Sequence, residues 1–229
     1  MGADAPKVLL PILGRPLIEY VLDAVAGAGI DRTIIVVSER GGPVERALAG
    51  RGLEFAVQSR QLGTADAVLA CRQLMTDEEQ CVVLCGDAPL VSGASVRRLM
   101  DAYRDGGVFL ALLTARLDDP SGYGRVVRRD DGSVEAIVEE RDASDEIRSI
   151  DEVNAGAYSF RWGRVLPVLE RIEPSPVTGE YYVTDAVKLA AGNKVVPVVV
   201  EDAGEILGAN TPGQLERVSR ELAARFRSE

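Results

Sequence analysis

The run Cys81-Val82-Val83-Leu84-Cys85 is apolar throughout and is stopped by Gly86-Asp87-Ala88-Pro89-Leu90. A short apolar run closed by a glycine and a carboxylate reads as a strand buried on both faces, the kind that fills a parallel sheet. Upstream, 33–37 and 53–57 are similar runs, and 16–28, 43–51 and 64–74 carry helical periodicity around them. In the first of these helices Leu17, Val21, Leu22 and Val25 share one stripe, Pro16 suits the first turn, and Gly27 and Gly29 mark the end. Downstream, a helix is expected over 95–104 and an extended apolar run over 108–114. This βα alternation predicts an α/β fold, a mostly parallel sheet covered by helices, in which ligands sit at the carboxyl ends of strands. Asp87 stands at such an end.

Beyond Leu117 the pattern changes. Segments 125–129 and 134–139 flank Asp131-Gly132 and read as a hairpin, and 150–160 is a long extended run expected to pair nearby. Helices are expected over 165–172 and 183–191, a buried strand over 194–200, and a C-terminal helix over 211–227 with Thr211 as cap and Pro212 in its first turn. Without repeats or low-complexity linkers, the economical picture is one α/β core with an inserted antiparallel lobe. From Glu135 to Glu152 eight acidic residues face two arginines, which reads as a solvated surface segment.

Composition excludes several chemistries. The chain has 229 residues and no histidine, which removes Ser-His-Asp, Cys-His, His-ligated zinc and histidine-base mechanisms together. With 26 basic and 36 acidic residues the net charge is −10, which argues against binding nucleic acid or an anionic membrane through bulk charge. Cys71, Cys81 and Cys85 are odd in number and lack CxxC spacing, so neither a disulfide framework nor a zinc ribbon is indicated. Cys81 and Cys85 on one strand would stand about 13 Å apart, too far to bridge. Segment 8–22 is interrupted by Pro11, Gly14, Arg15, Pro16 and Glu19, unlike a signal peptide or spanning helix, and a cytoplasmic location is expected.

Several positions suit phosphate chemistry, each with a plainer reading beside it. Asp87 at a strand's carboxyl end can hold Mg²⁺ against a phosphate, or cap a turn. Lys7, one of three lysines, can neutralise phosphate or lie on the surface. Gln61-Leu-Gly63-Thr64 opens a helix: Gly63 permits close backbone approach to a ligand, or Thr64 merely caps the helix. Gly122-Tyr-Gly124 precedes a strand and can be a simple turn. Gly179-Glu-Tyr-Tyr182-Val-Thr184-Asp185 concentrates hydrogen-bonding groups where a plain helix needs few.

In order along the chain stand Pro6-Lys-Val-Leu9, Gly14-Arg-Pro16, Gln58, Gln61-Leu-Gly-Thr64, Gly86-Asp-Ala-Pro-Leu90 and Asp119-Pro-Ser-Gly-Tyr-Gly-Arg125. Ile137-Val-Glu139, Asp142-Ala-Ser-Asp145, Asn154-Ala-Gly156 and Gly179-Glu-Tyr-Tyr-Val-Thr-Asp185 follow. Taken together, the sequence resembles the uridyltransferase (pyrophosphorylase) domain of bacterial N-acetylglucosamine-1-phosphate uridyltransferases from Met1 to about Glu216. The resemblance implies a Rossmann-like, GT-A-like nucleotidyltransferase fold with a mixed, mostly parallel sheet and a small antiparallel sugar-binding lobe. One domain over 1–229 is implied, with a nucleotide-binding half at 1–117, a sugar-binding part at 118–210 and a C-terminal helix at 211–229. The resemblance implies that Lys7 sits at the phosphates and that Gln58, Gly63 and Thr64 read uracil. Cys85, Gly86 and Asp87 are implied to line the nucleotide and metal site, with Asp87 and Asn210 holding Mg²⁺. Gly124, Glu139, Asn154, Tyr182 and Thr184 are implied to hold the sugar. The implied partners are UTP and a sugar 1-phosphate, and the implied products are UDP-N-acetylglucosamine and pyrophosphate.

The sequence departs from the family's pattern at Cys85, where tyrosine is usual, at Asp66, where histidine is usual, and at Ala155, where threonine is usual. The family opens with a strand and a Gly-x-Gly-Thr-Arg-Met loop, so Met1 is expected to be an internal methionine preceded by roughly fifteen more residues. A chain lacking that loop is expected to turn over weakly or not at all. No hexapeptide repeats follow the last helix, so acetyl transfer on a β-helix is not expected. Another nucleotide or sugar, or a silent nucleotide-sugar-binding role, remains open at this point.

Overall fold

The computed structural model describes residues 6–104, 107–190, 192–209 and 211–228. Met1 and Asn210 lie outside the described residues. A 3₁₀ turn at Lys7–Leu9 leads into a two-stranded antiparallel ladder, β1 (Pro11–Ile12) with β2 (Arg15–Pro16). Helix α1 (Leu17–Gly27) buries Leu17, Ile18, Tyr20, Val21 and Ala24, the stripe that its apolar spacing predicts. It begins one residue past Pro16, which lies in β2. Strands β3 (Ile34–Val37) and β4 (Glu54–Val57) bracket the short helix α2 (Pro43–Ala47), and α3 (Thr64–Leu69) is followed by a 3₁₀ turn at Arg72–Leu74. The expected helix over 64–74 is thus broken at its last turn.

Strand β5 (Gln80–Val83), helix α4 (Gly93–Arg104) and strand β6 (Val108–Arg116) come next. The hairpin β7 (Arg125–Arg128) and β8 (Val134–Val138) and the short helix α5 (Asp145–Arg148) follow. Then come β9 (Glu152–Arg161), α6 (Trp162–Leu169), α7 (Asp185–Leu189), β10 (Lys194–Val199) and α8 (Pro212–Ser228). Helix α8 opens with a capping box: the Gln214 amide donates to the Thr211 hydroxyl at 3.2 Å, and the Thr211 amide donates to Gln214 Oε1 at 3.0 Å. Sequence periodicity did not point to α5; Ser144 caps it by accepting the Ile147 amide.

The main sheet is mixed, in the order β10-β6-β9-β7-β8, with β5 on β9 as well. Strand β9 is long enough to serve three neighbours. Its second half pairs with β5, its first with β7, and both halves pair with β6. The α/β class and the mixed sheet agree with the sequence, but among the described residues only β6–β10 and β3–β4 are parallel ladders. The hairpin lobe and the return strand β9 supply antiparallel pairs that βα alternation cannot reveal. Strands β3 and β4 form a separate sheet, and no ladder joins them to β5 among the described residues.

Burial follows the pairing. Val108 through Ala115 of β6 are buried without exception. By contrast Ile34, Ile35, Val36 and all of β5 are only half-buried, although their sequence reads as buried on both faces. The reason is that each is laddered along one edge alone.

The acidic stretch is less solvated than its composition suggests. Glu152 is 2% exposed and accepts from Arg128 Nε and Nη2 at 2.8 and 2.7 Å. Burial pushes its carboxyl up, but the Arg128 hydrogen bond and charge outweigh that and hold it below the usual range. Glu140 pairs with the buried Arg125 at 2.7 Å.

Candidate active site

Strand register gathers the candidate residues at one end of the sheet. Val83, the last residue of β5, pairs with Tyr158, and Thr114 of β6 pairs with Asn154. Arg125 at the start of β7 pairs with both Val153 and Val138. The loop after β5, the start of β7, the end of β8 and the first half of β9 therefore share an edge.

At that edge the Asp87 carboxylate forms an ion pair with Lys7 Nζ, the two side chains being 24% and 30% exposed. The Asp87 carbonyl accepts the Ala209 amide at 3.3 Å, which brings the residue before Asn210 to the same loop. Gly86 is tightly covered: a Cβ there would come within 3.3 Å of Val8 Cγ1. Cys85 is exposed, and its Sγ lies 3.5 Å from the Gly156 carbonyl oxygen. Gly156 has φ +70 and no room for a Cβ, which would stand 2.9 Å from that sulfur. The cysteine thus touches the segment that carries Asn154.

A second group forms after β4. Gln58 Nε2 donates to the Gly63 carbonyl at 3.0 Å and to Asp66 Oδ2 at 2.9 Å. Gly63, at φ +118, approaches Tyr181 so closely that a Cβ would meet its backbone nitrogen and oxygen at 2.6 and 2.5 Å. Gly63, not Thr64, occupies the cap position of α3, and the Thr64 hydroxyl accepts the Val183 amide at 2.9 Å. The plainer reading of Thr64 as a helix cap is therefore overturned. The hydroxyl is held by the segment that carries Tyr182 and Thr184.

The third group belongs to the antiparallel lobe. A Cβ on Gly124 would lie 3.4 Å from Glu139 Oε2, and the Asn154 amide donates to the Gly124 carbonyl at 2.8 Å. Thr184 is buried and donates to Glu139 Oε1 at 2.9 Å. Burial pushes the Glu139 carboxyl up. The Thr184 hydrogen bond opposes this, while the charges of Asp142, Asp185 and Glu180 add to it. The Asn154 side chain is fixed at both ends, donating to Tyr158 Oη at 2.6 Å and accepting the Gly156 amide at 3.1 Å. Tyr182 Oη lies 2.7 Å from Thr178 Oγ1.

The structure thus joins Lys7 to Asp87, Gln58 to Gly63, and Gly124, Glu139, Asn154 and Thr184 to one another. Contacts of Cys85 with Gly156 and of Thr64 with Val183 tie these groups together. No hydrogen bond between described residues joins Gln58, Gly63 or Thr64 directly to the Lys7–Asp87 pair. Sequence reading missed Tyr158 as the orienter of Asn154. It also missed Asp66 as the partner of Gln58, and the Ser175 hydroxyl, which donates to the Asp142 carboxylate at 3.1 Å. Tyr158 lies in an apolar strand where core packing explains a tyrosine equally well. Asp66 stood out only as a departure from the family's pattern.

The family model described as "Nucleotidyl transferase" matches residues 2–204. The chain belongs to the nucleotidyl transferase family. Among its curated relatives, "Bifunctional protein GlmU" from Heliobacterium modesticaldum is 40% identical over 230 residues, covering 99% of this chain and 50% of the relative. The protein of the same name from Desulfotalea psychrophila is 37% identical over 98% of this chain and 67% of its own length. That from Caldicellulosiruptor saccharolyticus is 38% identical over 100% and 50%. The chain spans about half to two thirds of the length of these relatives. No described helix is long and apolar enough to cross a membrane.

Proposed function

We propose that this nucleotidyl transferase forms UDP-N-acetylglucosamine and pyrophosphate from UTP and N-acetylglucosamine 1-phosphate, in the cytoplasm. The observation that supports this most is the meeting, at one sheet edge, of the Lys7–Asp87 pair with the Gly124–Glu139–Asn154–Thr184 cluster. In this reading the charged pair serves the phosphates and the polar cluster the sugar. Matching identity along 99% of the chain with a GlmU protein agrees with that reading.

In this reading an oxygen of the sugar 1-phosphate attacks the α-phosphorus of UTP in line, and pyrophosphate leaves. The nucleophile is ionised at neutral pH, so the protein positions the reactants and neutralises charge; it does not need to remove a proton. A chain without histidine suits this chemistry. Lys7 offsets negative charge on the phosphates, and the Gln58–Gly63–Thr64 group holds the base. Glu139, Asn154 and Thr184 hold the sugar hydroxyl and amide groups.

Asp87 offers a hard oxygen donor that already faces a cation in Lys7, which fits Mg²⁺. Among the described residues no group of three or more His, Cys, Asp or Glu gathers to hold a metal. This is compatible with Mg²⁺, an ion that takes one or two protein ligands and completes its shell with phosphate and water. Asp87 with Asn210 would hold it, and the ion when bound supplies further charge neutralisation on the phosphates.

Asp87→Ala tests the reading. In the full-length protein the variant is expected to lose Mg²⁺-dependent pyrophosphate release from UTP and N-acetylglucosamine 1-phosphate while keeping its circular dichroism and melting point. A partly exposed ion pair contributes at most about 1 kcal/mol to folding. Retained release would overturn the role of Asp87. A panel of nucleoside triphosphates against sugar phosphates separates this reaction from a neighbouring one, and nucleotide binding without turnover by any pair would favour a silent binding protein.

A further inference from the structure

The Gln58 side chain has two possible amide orientations, and its neighbours permit one. Nε2 donates to the Gly63 carbonyl at 3.0 Å and to Asp66 Oδ2 at 2.9 Å. A carbonyl and a carboxylate only accept hydrogen bonds, so the opposite orientation would set Oε1 against two acceptors. Both amide protons are therefore engaged, and no described residue donates to Oε1. The polar atom that Gln58 has left to offer is an acceptor.

We propose that Asp66 is a positioning residue that fixes Gln58 as an acceptor and so makes this site select uracil over cytosine. The inference rests on the nucleotide-binding role given to Gln58 above. Uracil carries an N3–H between two carbonyls, whereas cytosine carries an unprotonated N3 beside an amino group. A fixed acceptor matches the uracil N3–H and opposes the lone pair of cytosine N3. To offer its amino group instead, cytosine must slide along its own edge. A freely turning glutamine would serve either base by presenting its oxygen or its nitrogen. The Gly63 carbonyl alone could bias the amide, but Gly63 is already pressed against the Tyr181 backbone, and Asp66 adds the charged acceptor, the stronger class of partner.

The test is steady-state kcat/KM for UTP and for CTP in the full-length protein and in its Asp66→Ala, Asp66→Glu, Gln58→Ala and Gln58→Ala/Asp66→Ala variants. The UTP-to-CTP ratio is read within each protein, so neither a low absolute rate nor a reduced folded fraction disturbs it. Asp66→Ala is expected to lower the ratio about tenfold, which is about 1.4 kcal/mol of discrimination, with the KM for sugar 1-phosphate unchanged. Asp66→Glu is expected to recover most of the ratio. The double variant is expected to discriminate no worse than Gln58→Ala, because Asp66 acts through that side chain. An Asp66→Ala variant that loses both nucleotides in equal proportion, or whose loss adds to that of Gln58→Ala, would overturn the inference. If Gln58→Ala leaves the UTP preference intact, the nucleotide role of Gln58 itself fails, and the inference with it.

Discussion

Glu139, proposed above to hold the sugar, is a carboxyl whose burial weighs against its charged form. It lies at the close of β8, touches Gly124, accepts from Thr184 and is pushed up in pKa chiefly by burial. Burial disfavours the charged form, so its folded pKa lies above the unfolded one. The stability that its neutral form brings is complete below the unfolded pKa and is lost as pH rises through the folded pKa. Glu139→Gln removes this titration while keeping an acceptor for Thr184. The melting point of the Gln variant, relative to the parent, is therefore expected to rise between about pH 4 and pH 8, as calorimetry at both values would show. A difference that does not change with pH would mean that Glu139 is no more buried than an ordinary carboxylate. A carboxylate retained under such conditions is expected to repay its charge by binding, here as an acceptor for sugar hydroxyls.

The segment between α6 and α7 is ordered by its own hydrogen bonds without being helix or strand. The Ser175 hydroxyl accepts the amides of Val177 and Thr178 at 3.1 and 3.3 Å and donates to Asp142. The Ser175 amide donates to the Glu180 carbonyl at 2.9 Å, and the Tyr181 amide to the Leu62 carbonyl at 2.7 Å. One hydroxyl thus ties this segment both to itself and to the loop after β8, three residues from Glu139. Ser175→Ala removes the bonds of a buried hydroxyl, but Val177 and Asp142 are exposed to water, so the loss is expected to be about 0.5–1.5 kcal/mol, or a few degrees in melting point for a chain of this size. Thermal unfolding measures that loss, and a rise in the KM for sugar 1-phosphate larger than that for UTP would show where the segment acts. An unchanged melting point would mean that water replaces the hydroxyl freely. Apolar period and caps made most helices and strands of this fold legible, from the α1 stripe to the α8 capping box. This segment was not legible, because its order combines local bonds to the Ser175 hydroxyl with contacts to Asp142 and Leu62, which are distant in sequence. The candidate site was readable as a set of motifs, but the pairing of Gln58 with Asp66 depends on the path of the loop into α3, and that of Asn154 with Tyr158 on the irregularity of β9 around Gly156, neither of which a motif encodes.

At the scale of the whole molecule, the main sheet and the β3–β4 sheet differ in how well they are supported. Strand β6 is laddered to β10 on one side and β9 on the other, and its residues from Val108 to Ala115 are buried. The β3–β4 pair is a two-stranded sheet whose Ile34, Ile35 and Val36 remain half-buried, with Val37 and Ala56 as its buried anchors. Two-stranded sheets are marginal without added packing, and regions with few buried contacts open at free energies well below that of global unfolding. Gln58 follows β4 directly and donates its backbone amide to the Val37 carbonyl at 2.8 Å, so the group proposed to hold the base rides on the weaker sheet, while Asn154 rides on the stronger one. Native-state hydrogen exchange should resolve the difference. Amides of β6 and β9 are expected to exchange only through global unfolding, and those of β3 and β4 through a smaller opening, with rates faster by orders of magnitude. Adding UTP should slow exchange in β3 and β4 more than in β6, because ligand binding stabilises whatever must be ordered to form its site. Equal protection of both sheets without ligand would show that packing against the β3–β4 pair makes up for its single ladder.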